Sequence, residues 1–179
     1  MLHVRKRLRS EAGLTLIEVL VACSLMGIVS AIAATNFTAM RPAFETRGAA
    51  LLVAGDLNQA RMASIQEARV YEYVPIAGGY RIQRDDGAGG RQTVKQRVLG
   101  TEYPHVTFGH TGITQDPYTA AIGAAAPAAT ITFHSNGTVQ NPASVYLEAN
   151  VGDELSQHAV TLSGAGRVRV WKRGASGWS

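Results

Sequence analysis

From Val19 to Met40 the chain carries no charged residue, and from Leu14 to Ala34 nearly every residue is apolar or small. A helix that crosses the hydrocarbon core of a bilayer needs about 20 such residues. A secretory signal core is shorter, about 7–15 residues, and ends in a small-x-small cleavage site. The run here is too long for that, and no such site ends it cleanly. It reads as a retained membrane helix over residues 14–40. Gly27 and Ser30 are small residues inside it that let helices approach closely. Cys23, the only cysteine, also lies there. No intramolecular disulfide can form, and a lone cysteine in such a run is a small apolar packing residue.

The formal net charge is +4. Arg5, Lys6, Arg7 and Arg9 against Glu11 supply three of those charges, so everything after residue 13 is close to neutral. The basicity is therefore a topology signal. Positive residues flank the cytoplasmic end of a membrane helix, which keeps the amino terminus inside and exports the rest. Glu18 is the one charge within the apolar run. A carboxylate one turn into a hydrocarbon helix costs a few kcal/mol. Such a group either sits protonated or snorkelling near the interface, or has a partner.

The string Gly13-Leu14-Thr15-Leu16-Ile17-Glu18, preceded by basic residues and followed by an apolar helix, resembles the class III signal of type IV pilins and pseudopilins. The usual family string is Gly-Phe-Thr-Leu-Ile-Glu. Leu14 replaces Phe at a position that varies among members. The resemblance implies cleavage between Gly13 and Leu14 by a prepilin peptidase on the cytoplasmic side, N-methylation of Leu14, and retention of the helix in the bacterial inner membrane. It also gives Glu18 a partner: in a stacked filament its carboxylate neutralises the new Leu14 amine of a neighbouring subunit and fixes register. Related pilins often break the helix with a proline near the position of Thr35; here the first proline is Pro42. Many major pilins also carry a C-terminal disulfide, which this chain does not.

The organisation expected is a leader over 1–13, a transmembrane and filament-core helix over 14–40, an amphipathic helix over 41–69 and an antiparallel β domain over 70–179. After the leader and a stalk of about forty residues, about 120–130 remain, enough for one modest core. In the amphipathic part, at 100° per residue, Phe44, Leu51, Met62 and Ile65 form one stripe, and Val53, Leu57, Ala60 and Ser64 form another roughly opposite. Two stripes imply two partners, a sheet on one side and neighbouring subunits on the other. Asp56, Gln59 and Glu67 lie on one flank, Arg47 and Arg61 on the other. Residues Leu57–Ser64 resemble the Leu-x-x-Ala-Arg-x-x-Ala helix of the GspH/FimT group of minor pilins, with Ser64 in place of the last Ala.

After residue 70 the period becomes two, with no helical signal. Strands are expected at 70–74, 80–84, 93–99, 105–108, 130–133, 145–148, 160–162 and 168–171, separated by Gly, Pro, Asn and Asp signals. Asn136-Gly137 is a strong hairpin-turn signal, and residues 109–129 read as a long surface loop. The fold class is α+β, a long N-terminal helix packed on an antiparallel sheet.

Nothing in the pattern points to an enzyme or a cofactor. His3, His105, His110, His134 and His158 are scattered without metal-ligand spacing. Ser135, Ser144 and Ser163 sit in no nucleophile elbow, and Gly87–Gly90 precedes no helix that would bind phosphate. Asp85-Asp86 and Asp153-Glu154 read as solvated turns.

The C-terminal segment is different. Arg167, Arg169, Lys172 and Arg173 fall within seven residues, with Trp171 among them and Trp178 after them. Arg167 and Arg169, two apart on a strand, project from one face about 6–7 Å from each other, near the spacing of consecutive nucleic-acid phosphates. Val168 and Val170 face the core. Arginine suits forked phosphate contacts, and a tryptophan can stack on a base. On the residues alone the segment is equally a solvated basic edge strand. Gly166-Arg167-Val168-Arg169 resembles the Gly-Arg-x-Arg motif of the FimT-like members, in which it is implicated in binding DNA during natural transformation. GspH-like members of the same group are minor pseudopilins of type II secretion, and some end in similar strings. The resemblance thus implies other pilin or pseudopilin subunits as partners, with DNA as an alternative ligand.

Overall fold

The computed structural model describes residues 15–118, 122, 130–151, 154–174 and 176–179. Gly13 and Leu14 lie outside the described residues, as do the rest of the leader, His3, Asp153 and most of 119–129. The chain divides into two units, Met1–Thr38 and Ala39–Ser179. Helix α1, Leu16–Gln66, contributes to both.

In the first unit, Leu16–Ala34 is long and apolar enough to cross a membrane, and none of it is buried. Thr15 opens the helix. Its Oγ1 accepts a hydrogen bond from the Glu18 amide at 3.3 Å, and Glu18 lies in the first turn. This is the Thr-x-x-Glu arrangement of a capping box, with the acid at the positive end of the helix dipole. The Ser24 hydroxyl donates to the Leu20 carbonyl at 2.9 Å, so it carries no unmet hydrogen bond into the apolar run.

In the second unit α1 continues through Pro42, and the Thr46 hydroxyl bonds the Pro42 carbonyl at 2.7 Å. The two stripes separate as the periodicity predicts. Val53, Leu57, Ala60 and Ser64 are buried, whereas Phe44, Leu51, Met62 and Ile65 are exposed. The helix stops at Gln66 rather than 69. Arg69 N–H bonds the Ser64 carbonyl and Ala68 N–H the Ile65 carbonyl, which closes a Schellman motif with Ala68 at φ 50° in the place usually taken by glycine.

The strands form two antiparallel sheets, where the sequence reading had one. The first runs β3-β2-β1-β5, with β1 Tyr71–Ile76, β2 Gly79–Asp85, β3 Arg91–Val98 and β5 Ile131–Phe133. The second runs β4-β6-β7-β8-β9, with β4 Thr107–Phe108, β6 Ser144–Val151, β7 Glu154–Leu162, β8 Val168–Gly174 and β9 Gly177–Trp178. After β5 the chain leaves the first sheet where it turns at Asn136-Gly137 and meets Pro142, which has no N–H to give a ladder. Across that break Val139 N–H bonds the Gly164 carbonyl at 2.8 Å and ties the sheets together. The buried helix stripe shares one core with Tyr73, Tyr80, Ile131 and Phe133 of the first sheet and Val145, Leu147, Val160 and Leu162 of the second.

Three further differences have local causes. Residues Leu99–Glu102 form a short helix α2, with Leu99 buried and its N–H bonded to the Gly78 carbonyl. Strands β6 and β7 outrun their expected lengths because Ala149, Asn150, Ser156 and Gln157 are poor strand formers carried by cross-strand pairing. Glu154 pairs with Val151 and begins β7 instead of lying in a turn.

Candidate functional site

Strand β8 sorts the C-terminal cations by the pleat. Val168 and Val170 stand opposite Leu162 and Val160 and pack on the core. Arg169 and Trp171 stand opposite Thr161 and Ala159 and look the other way, towards a second cluster of Ile113, Tyr146 and Ala159 with Ile122, Trp171 and Trp178. Arg173 shares that outer face, and its guanidinium donates to the Gly112 carbonyl and to Gln157 Oε1, each at 3.2 Å. Lys172 falls on the opposite, helix-facing side, directly across from His158. Of the four candidate cations, then, Arg167 and Arg169 are exposed on or beside the outer face, Arg173 is held internally, and Lys172 belongs to another surface.

Arg167 and Arg169 form no ion pair with a described carboxylate. Arg169 Cζ lies 5.8 Å from the Trp171 ring centroid, within cation–π range. Trp171 is engaged on other sides too: its Nε1 donates to Thr161 Oγ1 at 2.9 Å, and its ring meets Tyr118 edge-on at 5.9 Å. Trp178 Nε1 donates to the Gln115 carbonyl at 3.1 Å. Trp171 therefore acts first as a floor beneath Arg169, and Trp178 packs in the same cluster.

The turn that presents Arg167 is fixed from the helix. Arg61 donates through Nε to the Gly137 carbonyl at 3.0 Å and through Nη2 to the Ala165 carbonyl at 3.1 Å. It thus clamps the Asn136-Gly137 turn and the 163–167 turn together. Three residues on, the Ser64 hydroxyl donates to the His134 carbonyl at 3.1 Å. The two stretches that resemble family motifs, 57–64 and 166–169, meet here. Gly166 is buried at φ +76°, and a Cβ there would overlap Arg61 Nε and the Gly137 carbonyl oxygen. Its glycine is required by packing and backbone before any ligand is considered. Gly166→Ala is expected to destabilise the fold by about 1–3 kcal/mol from the left-handed backbone, with the overlap adding to it. Gly164→Ala, where a Cβ meets only Pro142 at 3.7 Å, is expected to be near neutral. Urea titrations of the two variants check this.

The sequence reading missed one polar centre. Asp56 was placed on a flank of the helix, yet it is only 6% exposed. Its carboxylate accepts from Tyr80 Oη at 2.7 Å, Lys95 Nζ at 2.8 Å and Arg97 Nε at 3.1 Å. Burial alone would raise its pKa, but the bonds from Lys95, Tyr80 and Arg97 outweigh burial and hold it below the ordinary value. Lys95 also donates to Gln59, and Arg97 to Glu102. The network fastens α1 to the β2–β3 hairpin. The signal in the sequence was an acid directly beside the buried Val53/Leu57 stripe. Among the described residues no three His, Cys, Asp or Glu side chains are grouped to hold a metal ion.

Comparison with protein families gives two matches. The "Prokaryotic N-terminal methylation motif" covers residues 8–34, and "Type II transport protein GspH" covers residues 49–166. Two crystal structures of the type IV minor pilin FimU of Pseudomonas aeruginosa (strain PAO1) are similar in fold. One has 16% identity and a TM-score of 0.49, covering 75% of this chain and 92% of that one. The other has 15% identity and a TM-score of 0.45, covering 74% and 96%. Comparison with curated proteins found no match.

Proposed function

The chain belongs to the family described as type II transport protein GspH, and from that premise we propose that it is a minor pilin or pseudopilin subunit, assembled into a type IV pilus or a type II secretion pseudopilus. A prepilin peptidase cuts between Gly13 and Leu14, and Leu14 is N-methylated. The helix anchors the precursor in the bacterial inner membrane with its amino terminus cytoplasmic, then packs in the filament core with Glu18 facing a neighbour's amine. The β domain lies in the periplasm or on the extracellular filament. The observation that carries this reading is the methylation motif at 8–34 laid on the wholly exposed apolar stretch Leu16–Ala34. Recovery of the chain with the sheared pilus or pseudopilus fraction tests it. Its absence there, with the precursor present in membranes, would count against assembly.

A second reading is favoured by the exposure of Arg167 and Arg169 without a described carboxylate partner, next to Trp171. In it these two residues bind the DNA backbone, and the subunit acts in DNA uptake. The full chain in detergent is expected to shift short DNA at low salt. Arg167→Ala with Arg169→Ala is expected to weaken that binding and lower the salt slope by about 2, one neutralised phosphate for each arginine. A chain that binds no DNA at low salt, or a double variant that binds like the parent, removes this reading and leaves the first intact.

A further inference from the structure

The outer face of the first sheet, turned away from the helix, carries one arginine with no described partner. Tyr80 and Ile82 are buried in the core, so Arg81 between them points outward. Its cross-strand neighbours are Val74 of β1 and Gln96 of β3, whose side chains stand about 5 Å to either side. In the next row Gly79 lies between Ile76 and Val98. A Cβ on Gly79 would overlap the Arg97 carbonyl oxygen, so glycine is forced there and the face keeps a gap beside Arg81. In the row on the other side the acid is Glu72, which Arg91 holds in a fork at 3.0 and 2.9 Å, and Arg91 also pairs with Asp85 at 3.0 Å. Arg81 forms no ion pair with a described residue. Its Nε is buried without a hydrogen-bond partner, while the residue as a whole is only half-buried and its terminal nitrogens stay open to solvent. Taking a guanidinium N–H out of water without a partner costs free energy that nothing described within the chain offsets.

The surroundings decide what this arginine fits. Nucleic acid and anionic lipid call for several cations together, and with Arg91 paired, Arg81 is the one cation on this face without a described acid. Its neighbours are aliphatic, Val74 and Ile76 on β1 and Val98 on β3, the last 43% exposed. An arginine set among apolar side chains matches a carboxylate carried on the apolar surface of another protein, where two terminal nitrogens take both oxygens. A second copy of this chain is a poor source of that carboxylate. Every Asp and Glu side chain described in residues 39–179 already accepts a hydrogen bond or ion pair within its own chain. We infer that the face around Val74, Ile76, Arg81 and Val98 docks a different protein, whose Asp or Glu side chain pairs with Arg81. That this protein is a filament subunit rests on the assembly reading; the docking face does not.

Two experiments test it. In the first, the full chain carries the photo-crosslinker p-benzoylphenylalanine in place of Gln96 and is irradiated in its native cells. The expected product is an adduct with a different protein, and mass spectrometry of the joined peptide is expected to find an Asp or Glu beside the crosslink. Arg81→Met and Arg81→Glu are each expected to lower the adduct at least tenfold, and changing the partner's acid to Lys is expected to restore it with Arg81→Glu. No adduct, an adduct only with a second copy, an adduct with lipid or nucleic acid, or one that Arg81→Met leaves unchanged overturns the proposal. In the second, the full chain in maltoside detergent is unfolded in urea. Methionine keeps the apolar stem of Arg81 and removes the unpartnered N–H, so Arg81→Met is expected to leave the midpoint unchanged or raise it. A lowered midpoint assigns Arg81 to the fold and overturns the proposal. Wild-type chain recovered in the filament fraction without the adduct overturns the docking face and leaves assembly standing. The adduct formed by a chain absent from that fraction overturns assembly and leaves the docking face.

Discussion

Asp56→Ala is expected to lower folding stability by about 3–5 kcal/mol, the range for breaking one side of a buried ion pair. The loss exceeds that of three hydrogen bonds because of what is left behind. Tyr80 would keep a buried hydroxyl without its acceptor, and Lys95 and Arg97 would face each other at a partly buried site. Asp56→Asn retains an acceptor for Tyr80 and should cost less. The pH dependence has a definite sign. The folded pKa of Asp56 lies below its unfolded value, so its contribution is fully present above the unfolded value of about 3.9 and is lost as pH falls through the folded one. Urea titrations at pH 7 and in strong acid should therefore show a large gap between wild type and Asp56→Ala that narrows on acidification. A gap under about 1 kcal/mol at neutral pH, or one indifferent to pH, would show that the network is an ordinary surface ion pair.

Glu18→Ala is expected to leave processing after Gly13 intact and to reduce recovery in the filament fraction at least tenfold. Placing a carboxylate in the first turn of a membrane helix costs about 2.5–3.5 kcal/mol near the bilayer centre and less near the interface. That cost is offset if a neighbour's Leu14 amine pairs with it. The capping geometry at Thr15 offers a plainer role, since Glu18 sits where an acid or amide completes a capping box. Glu18→Gln separates the two. It keeps a side-chain acceptor of the kind a capping box uses at this position and removes the charge, so the pairing account expects it to fail as badly as alanine. Normal incorporation of the glutamine variant would assign Glu18 to helix capping.

The parts of this molecule that were legible in the sequence are those governed by local period. The opposite placement of Val53, Leu57, Ala60 and Ser64 against Phe44, Leu51, Met62 and Ile65 follows from 100° per residue, and the structure buries one set and exposes the other. The hairpin of 160–162 with 168–171 follows from alternation across a glycine-rich turn, and Leu162 pairs with Val168 as that requires. What escaped depends on contacts distant in sequence. Asp56 and Tyr80 are 24 residues apart, and Arg61 and the Ala165 carbonyl 104 apart. No window of periodicity contains such pairs. The same holds for the split into two sheets, which depends on β5 returning to β1 across more than fifty residues. Lys172 was grouped with the arginines by proximity along the chain, although the pleat that puts Arg167 and Arg169 on one face puts Lys172 on the other.

The account turns on Leu14 becoming the amino terminus, and the mass of the N-terminal peptide tests this most directly. It would be measured on chain isolated from cells with and without the prepilin peptidase. The account predicts a peptide that begins at N-methylated Leu14 when the peptidase is present, and an uncut precursor when it is absent. A chain that keeps Met1 in both, or is cut at another bond, would contradict it and leave a membrane-anchored β domain without a place in a filament.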